Sequence, residues 1–183
     1  MLLVEQQFAM DVLGTAVQGF GVGRMVKSRS IDAAISAFST SGVDVIIVDY
    51  STPGANQEIV YRLRHEIPEP RNTLPIVVLA AHAGETLVKG CVAAGASFVI
   101  CKPYNAETLL SRLLWLAQDP RPFIANETYI GPDRRQRNLG IPPQLKEGRR
   151  ASDLPADVSD KSGMNMDQMA IDAMLKPQRV NLL

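Results

Sequence analysis

Three points in the chain place charged or amide side chains at the ends of apolar runs. Asp49 follows Val43-Asp-Val-Ile-Ile-Val48, Lys102 follows Phe98-Val-Ile-Cys101, and Glu5-Gln6-Gln7 follow Leu2-Leu3-Val4. Taken singly, Asp49 reads as a capped strand-end carboxylate. A carboxylate, an ammonium and an acid–amide pair bear on charge rather than on nucleophilic or redox catalysis. No Ser/His/Asp order, metal-ligand cluster or Gly-rich phosphate loop stands out. Cys91 and Cys101 lack zinc or disulfide-framework spacing and read as small buried thiols. A second charged feature lies further on. Residues 131–150 hold six basic side chains against two acidic ones, and Arg134, Arg135, Arg137, Arg149 and Arg150 supply five of the six. Guanidinium groups bind phosphate through two parallel hydrogen bonds and stack on flat rings, which lysine cannot do.

The elements that must position these groups follow from periodicity. Val43–Val48, Pro75-Ile-Val-Val-Leu79 and Phe98–Cys101 are nearly uninterrupted apolar runs, the pattern of strands buried on both faces of a parallel sheet. Leu2–Val4 is another short strand, and the more polar Gly23–Lys27 suits an edge. Helical stripes alternate with them. Phe8, Val12, Ala16 and Val17 share one face. Ile31, Ala34, Ile35 and Phe38 follow a Ser30 cap, and Ile59, Leu63 and Ile67 precede Pro68. Leu87, Val88, Cys91 and Val92 end at Gly95, and Leu109, Leu110, Leu113, Leu114 and Ala117 follow Asn105. The order β-α repeats five times, so the expected fold is an α/β doubly wound parallel sheet, (βα)5, with helices on both faces. In such sheets ligands collect at the carboxyl ends of the strands, where Glu5, Gln6, Asp49, Ala80, His82 and Lys102 stand.

Composition bounds the function. Lys plus Arg and Asp plus Glu both number 19, which argues against a general nucleic-acid binder such as a DNA-binding protein. At 46% apolar residues the chain can bury a core, but no apolar run approaches the roughly 18–20 residues of a membrane span. The first residues lack the basic region of a signal peptide. These features predict a cytoplasmic protein. The chain changes character near residue 118: residues 119–183 hold 7 of the 12 prolines and no apolar run of four. Residues 1–118 are expected to form the folded domain, and 119–183 a Pro/Arg-rich, largely extended or disordered tail with a short helical segment at about 165–176.

Residues 1–118 resemble a CheY-like receiver domain, the flavodoxin-like phospho-accepting module of two-component response regulators. Four pieces in order carry the resemblance: IIVDYSTPG, PIVVLAAHA, AAGAS and VICKPY. The resemblance implies that Asp49 is the phosphoacceptor and that Lys102 contacts the phosphoryl oxygens. It implies a Mg²⁺ site at Glu5, Gln6, Asp49 and Ser51, and a histidine kinase or phosphotransfer protein upstream. The transfer is autocatalytic at most, and metal and ammonium offset the charge of the phosphoryl oxygens. The sequence departs from the family at several positions. Gln6 stands where the main metal carboxylate is usual, so Mg²⁺ should be weakly held or lost. The switch positions are Ala80, without a hydroxyl, and Val99, without a ring. Asn56-Gln57 replaces the usual Asp-Gly, and His82 reads as loop filler.

The tail resembles the GPDRRxR extensions of stand-alone receivers of alphaproteobacterial type. The expectation is therefore an atypical bacterial, stand-alone response regulator. It acts through protein contacts on the face of its fourth and fifth helices and through its tail. Two alternatives stand beside it. Arginine-rich extensions on some such receivers bind cyclic di-GMP, which would engage Arg134, Arg135, Arg137, Arg149, Arg150 and Asp153. A phosphorylation-independent pseudo-receiver adaptor would need neither ligand. Within residues 165–176, Met166, Met169, Ala170, Ala173 and Met174 can share one face. That segment resembles the helical peptide with which flagellar switch proteins grip receivers, and it could equally fold back on its own domain.

Overall fold

The structure is a computed structural model. It describes residues 2–4, 6–40, 42–50, 55–119, 121–134 and 166–175. Five parallel strands, β1 (Leu2–Val4), β2 (Lys27–Ser28), β3 (Ile46–Asp49), β4 (Ile76–Ala80) and β5 (Phe98–Cys101), form one sheet in the order β2-β1-β3-β4-β5. The helices between and after them are α1 (Gln7–Gly19), α2 (Ile31–Thr40), α3 (Ala55–His65), α4 (Glu85–Ala93) and α5 (Ala106–Ala117). The (βα)5 expectation holds, and the apolar strand runs explain it. Every residue of β3 and β4 is buried, as central parallel strands require.

Local chemistry sets the boundaries. The Ser30 hydroxyl accepts from Ala33 N–H at the start of α2, and the Asn105 side chain accepts from Thr108 N–H at 2.7 Å at the start of α5. Gly95, at φ +97°, ends the turn after α4 in a backbone region that side-chain-bearing residues avoid. The apolar stripes of α2, α3 and α4 face the core as read, through Ala34, Phe38, Ile59, Leu63, Val88 and Cys91. The α1 stripe is corrected. The buried face is Met10, Leu13, Gly14 and Val17, which leaves Phe8 82% and Val12 56% exposed. Helix α1 carries more apolar residues than one face can hold, and the 10-13-14-17 set matches the helical period better than steps of four. The edge strand β2 is also shorter than expected, two residues at Lys27–Ser28 rather than Gly23–Lys27.

Two segments beyond α5 pack on this domain. An antiparallel hairpin, β6 (Phe123–Ala125) with β7 (Ile130–Pro132), lies against α3 and the 3-10 turn Arg71–Thr73. Helix α6 (Gln168–Leu175) lies against β5 and α4.

The hairpin covers the amino-terminal ends of β4 and β5 through a buried cation. Arg64, on α3, donates from Nε and Nη2 to the Gly95 carbonyl and from Nη1 to the carbonyls of Asn72 and Leu74. Its guanidinium carbon sits 5.0 Å from the centre of the Phe123 ring. Burial pushes the guanidinium down to about 9, Arg134 adds repulsion and Tyr129 opposes the shift. Gly95 and Gly131 meet at this contact. A Cβ on Gly95 would lie 1.9 Å from the Ile130 carbonyl oxygen, and one on Gly131 would lie 2.8 Å from Gly95 Cα.

Candidate functional site

Strand order reverses between β1 and β3, whose connections leave to opposite sides, and the carboxyl ends of strands at such a switch point are where open α/β sheets bind ligands. Asp49, the last residue of β3, sits at that switch point. Its backbone is in register with Val4 on β1 and Leu79 on β4. The continuous apolar run that makes β3 a central strand also buries its last side chain, and Asp49 is only 4% exposed. A buried carboxylate needs a partner. Lys102, directly after β5, supplies it: Nζ donates to Asp49 Oδ1 at 2.5 Å, with the lysine partly open to solvent. Lys102 N–H also donates to the Ala80 carbonyl, which fixes the lysine backbone to the end of β4. The Lys102–Pro103 peptide bond is cis.

Tyr104 belongs to this cluster, although the sequence reading passed it over. Burial, reinforced by the Asp49 carboxylate, pushes its phenol up to about 12. An aromatic residue two positions after a strand-end lysine was the available signal. The remaining expected residues divide. Gln6 is exposed, two residues beyond Val4, and sits just before α1. Ala80 and Val99 are fully buried at the ends of β4 and within β5, with no hydroxyl or ring at either position. His82 is exposed. The Gln57 amide lies against α4 where Gly90 has no side chain. Glu5 and Ser51 lie outside the described residues.

Among the described residues, no group of three His, Cys, Asp or Glu side chains converges for a metal. Asp49 offers one carboxylate and Gln6 an amide oxygen. Mg²⁺ sites rest on one or two carboxylates and keep several waters. These donors are compatible with a weakly held Mg²⁺, which Asp49 would hold as its one carboxylate among the described residues.

Arg134 does not stand free for a ligand. Its guanidinium is largely buried, donates from Nη2 to the Ala96 carbonyl, and is pushed down by that burial. Among the described residues its Nε and Nη1 meet no acceptor at hydrogen-bonding distance. The side chain holds the hairpin against the turn before β5. Arg135, Arg137, Arg149, Arg150 and Asp153 lie outside the described residues.

At the β5 edge, α6 docks through polar groups. The Gln168 amide accepts from Cys101 N–H at 2.9 Å and donates to the Val99 carbonyl at 3.0 Å and to Asp172 Oδ1 at 2.9 Å. These two backbone bonds are the ones that a residue on a sixth parallel strand would make. Asp172 pairs with Arg112 of α5, whose guanidinium lies over the Phe98 ring. Ile171 and Leu175 are buried, and Met166 N–H donates to the Ala83 carbonyl at 2.8 Å. The docked face is therefore Gln168, Ile171, Asp172 and Leu175 rather than the methionine stripe. Met166 and Met174 pack at its margin, and Met169 is 66% exposed.

No helix among the described residues is long and apolar enough to cross a membrane. The family pattern described as response regulator receiver domain matches residues 1–114. The sensory transduction protein RegX3 of Mycobacterium leprae is 28% identical over 81 residues, which are 44% of this chain and 39% of that protein. The chain thus matches well under half the length of that curated relative. Among solved structures, a response regulator from Thermotoga maritima superposes with a TM-score of 0.56 at 22% identity, covering 65% of this chain and 96% of that one. The receiver domain of the Pseudomonas aeruginosa sensor histidine kinase PA1611, solved with magnesium in its active-site cleft, gives 0.55 at 20% identity, covering 63% and 94%. The Vibrio cholerae chemotaxis protein CheY4 gives 0.56 at 22% identity, with the same coverage of 63% and 94%. At these identities the likeness shows the fold, whereas the family match spans most of the chain: the protein belongs to the response regulator receiver domains of two-component signalling.

Proposed function

We propose that this chain is an atypical response regulator that accepts a phosphoryl group on Asp49 and signals through protein contacts. The observation that carries the reading is the 2.5 Å contact between Lys102 Nζ and the buried Asp49 carboxylate at the sheet's switch point. In that position the ammonium can move from the carboxylate to the oxygens of an incoming phosphoryl group and offset their charge. Asp49, Gln6 and, by sequence, Glu5 and Ser51 would hold Mg²⁺. The metal's part, when bound, is to neutralise the same oxygens. The donor is a histidine kinase or phosphotransfer protein, as for receiver domains generally.

Incubation with beryllofluoride or acetyl phosphate and Mg²⁺ tests the reading. The expected result is a spectral or mass change in the wild-type chain that disappears in Asp49→Ala. No change in the wild-type chain at millimolar reagent would overturn it in favour of a phosphorylation-independent adaptor. A specific observation favours that second reading: Ala80 and Val99 leave both usual relay positions without a functional group. A cyclic di-GMP reading rests only on the arginines beyond Arg134, since Arg134 itself is engaged. Calorimetric titration with the nucleotide is its test.

A further inference from the structure

Helix α6 is held almost entirely by side-chain groups that a separate helix could present equally well. Eight residues are too few for a stable isolated helix in water, so α6 draws its order from the domain beneath it. Its anchors form a compact pattern: an amide at Gln168, an apolar side chain at Ile171, a carboxylate at Asp172 and an apolar side chain at Leu175. The receiving groups are the outer edge of β5 at Val99 and Cys101, the Arg112 guanidinium on α5, and the surface of α4 and β5 against which Ile171 and Leu175 are buried. All three receiving elements belong to the domain and none depends on the chain linking the two. That link, residues 135–165, is 31 residues long in sequence.

We propose that residues 166–175 are a tethered gate: they fill a helix-receiving face, and a partner's amphipathic helix gains that face only by replacing them. The partner's chemistry follows from the anchors. It is a helix with Gln or Asn at one position, aliphatic residues three and seven positions on, and a carboxylate four positions on. The proposal rests on the reading that this chain acts through protein contacts, and adds what the partner must look like and what it must displace. Tethering sets the threshold. A segment joined by a linker of this length faces its site at an effective concentration on the order of millimolar. A free helix with the same anchors, supplied at micromolar concentration, therefore loses to α6 in the intact chain.

The test uses the full-length protein and a fluorescein-labelled peptide of residues 165–176, read by fluorescence anisotropy. Ile171→Glu in the chain ejects its own helix. The expected result is that this variant binds the peptide at least about tenfold more tightly than the wild-type chain. In a second open variant, Gln168→Ala with Asp172→Ala, the same gain is expected, which covers the case in which Ile171→Glu does not fold. Adding Arg112→Ala to either open variant should remove most of the binding. Equal binding to wild-type and open chains, or none to either open variant, overturns the proposal. So does sedimentation of the wild-type chain as a dimer with exchanged helices, which would make a second copy the occupant. The peptide readout needs no phosphate. Its failure beside an Asp49 that takes beryllofluoride sinks the gate alone. Success beside a silent Asp49 sinks the phosphoacceptor reading alone.

Discussion

The contact between Gly95 and Gly131 makes a prediction whose parts can be separated by experiment. In Gly95→Ala two penalties arise. The first is local, because φ +97° lies in the region that L side chains avoid, at about 1–2 kcal/mol. The second is steric. The new methyl group would sit 1.9 Å from the Ile130 carbonyl oxygen and 3.2 Å from Arg64 Nε. A backbone oxygen cannot rotate away as a side chain can, so the hairpin must shift by more than 1 Å. Overpacking of that kind costs about 1–3 kcal/mol. The sum is a loss of about 2–5 kcal/mol, a large share of the stability of an ordinary domain. Gly131→Ala meets Gly95 Cα at 2.8 Å from the other side, and the rotatable Tyr129 phenol at 2.5 Å, and carries only a steric part. The two variants are therefore not additive. Once Gly131→Ala has displaced the hairpin, Gly95→Ala should cost only its backbone strain. Urea unfolding followed by fluorescence measures this directly. The single tryptophan, Trp115, lies between the Phe98 ring, edge-on at 4.9 Å, and the Arg121 guanidinium at 4.8 Å. A coupling of at least about 1 kcal/mol is expected in the double-mutant cycle. Additive losses, or a Gly95→Ala loss under 1 kcal/mol, would refute the close packing of hairpin on receiver.

Four further outcomes follow from the same geometry. Arg64→Lys keeps the charge, but one ammonium cannot reach three carbonyls as the guanidinium fork does, so urea unfolding should show a loss of about 1–3 kcal/mol. Gln6→Asp adds a carboxylate just beyond β1, the strand paired with that of Asp49, and should tighten Mg²⁺ binding by about tenfold or more in titration, and no gain would exclude Gln6 from the metal shell. Asp49→Asn removes the anion that helps raise the Tyr104 phenol, so ultraviolet difference titration should find one tyrosine ionising at lower pH than in the wild-type chain. The Cys91 thiol, pushed up to about 12 by burial, keeps its proton in the folded state after the unfolded thiol loses it near 9. Its contribution is complete below pH 9 and is lost between about pH 9 and 12, at up to about 1.4 kcal/mol per pH unit. Cys91→Ala should flatten stability against pH in that window, and an unchanged slope would count against burial as the cause.

Much of this molecule was legible in its residues, for reasons that differ by element. Strands β3, β4 and β5 are buried on both faces, and such strands carry their identity as unbroken apolar runs. The strand ends then located Asp49 and Lys102 without further information. What escaped reading was polar and buried. Gln168 and Asp172 look like the solvent face of α6, yet they carry its docking because β5 and Arg112 offer matching groups. A search for apolar stripes rejects such residues and selects Met169, which faces out. Arg64 reads as a surface charge in the last turn of α3, and only the fold shows three carbonyls converging on it. In α1 the difficulty was excess, since apolar residues on two faces left its orientation to be settled by packing.

The bridge from Gln168 to β5 has a consequence for how the protein behaves in a crowded solution. β5 is an edge strand, and an edge with free N–H and C=O groups is a template on which another chain can add a strand. Barrels remove such edges by closure, and other proteins charge or shorten them. Here one side-chain amide imitates a peptide unit and consumes the Cys101 N–H and the Val99 carbonyl on the outer side of β5 without adding a strand. The cap ends in a side chain, so it offers no further edge for growth. A chain shortened before residue 166 should therefore show its defect first as self-association at high concentration, rather than as loss of fold.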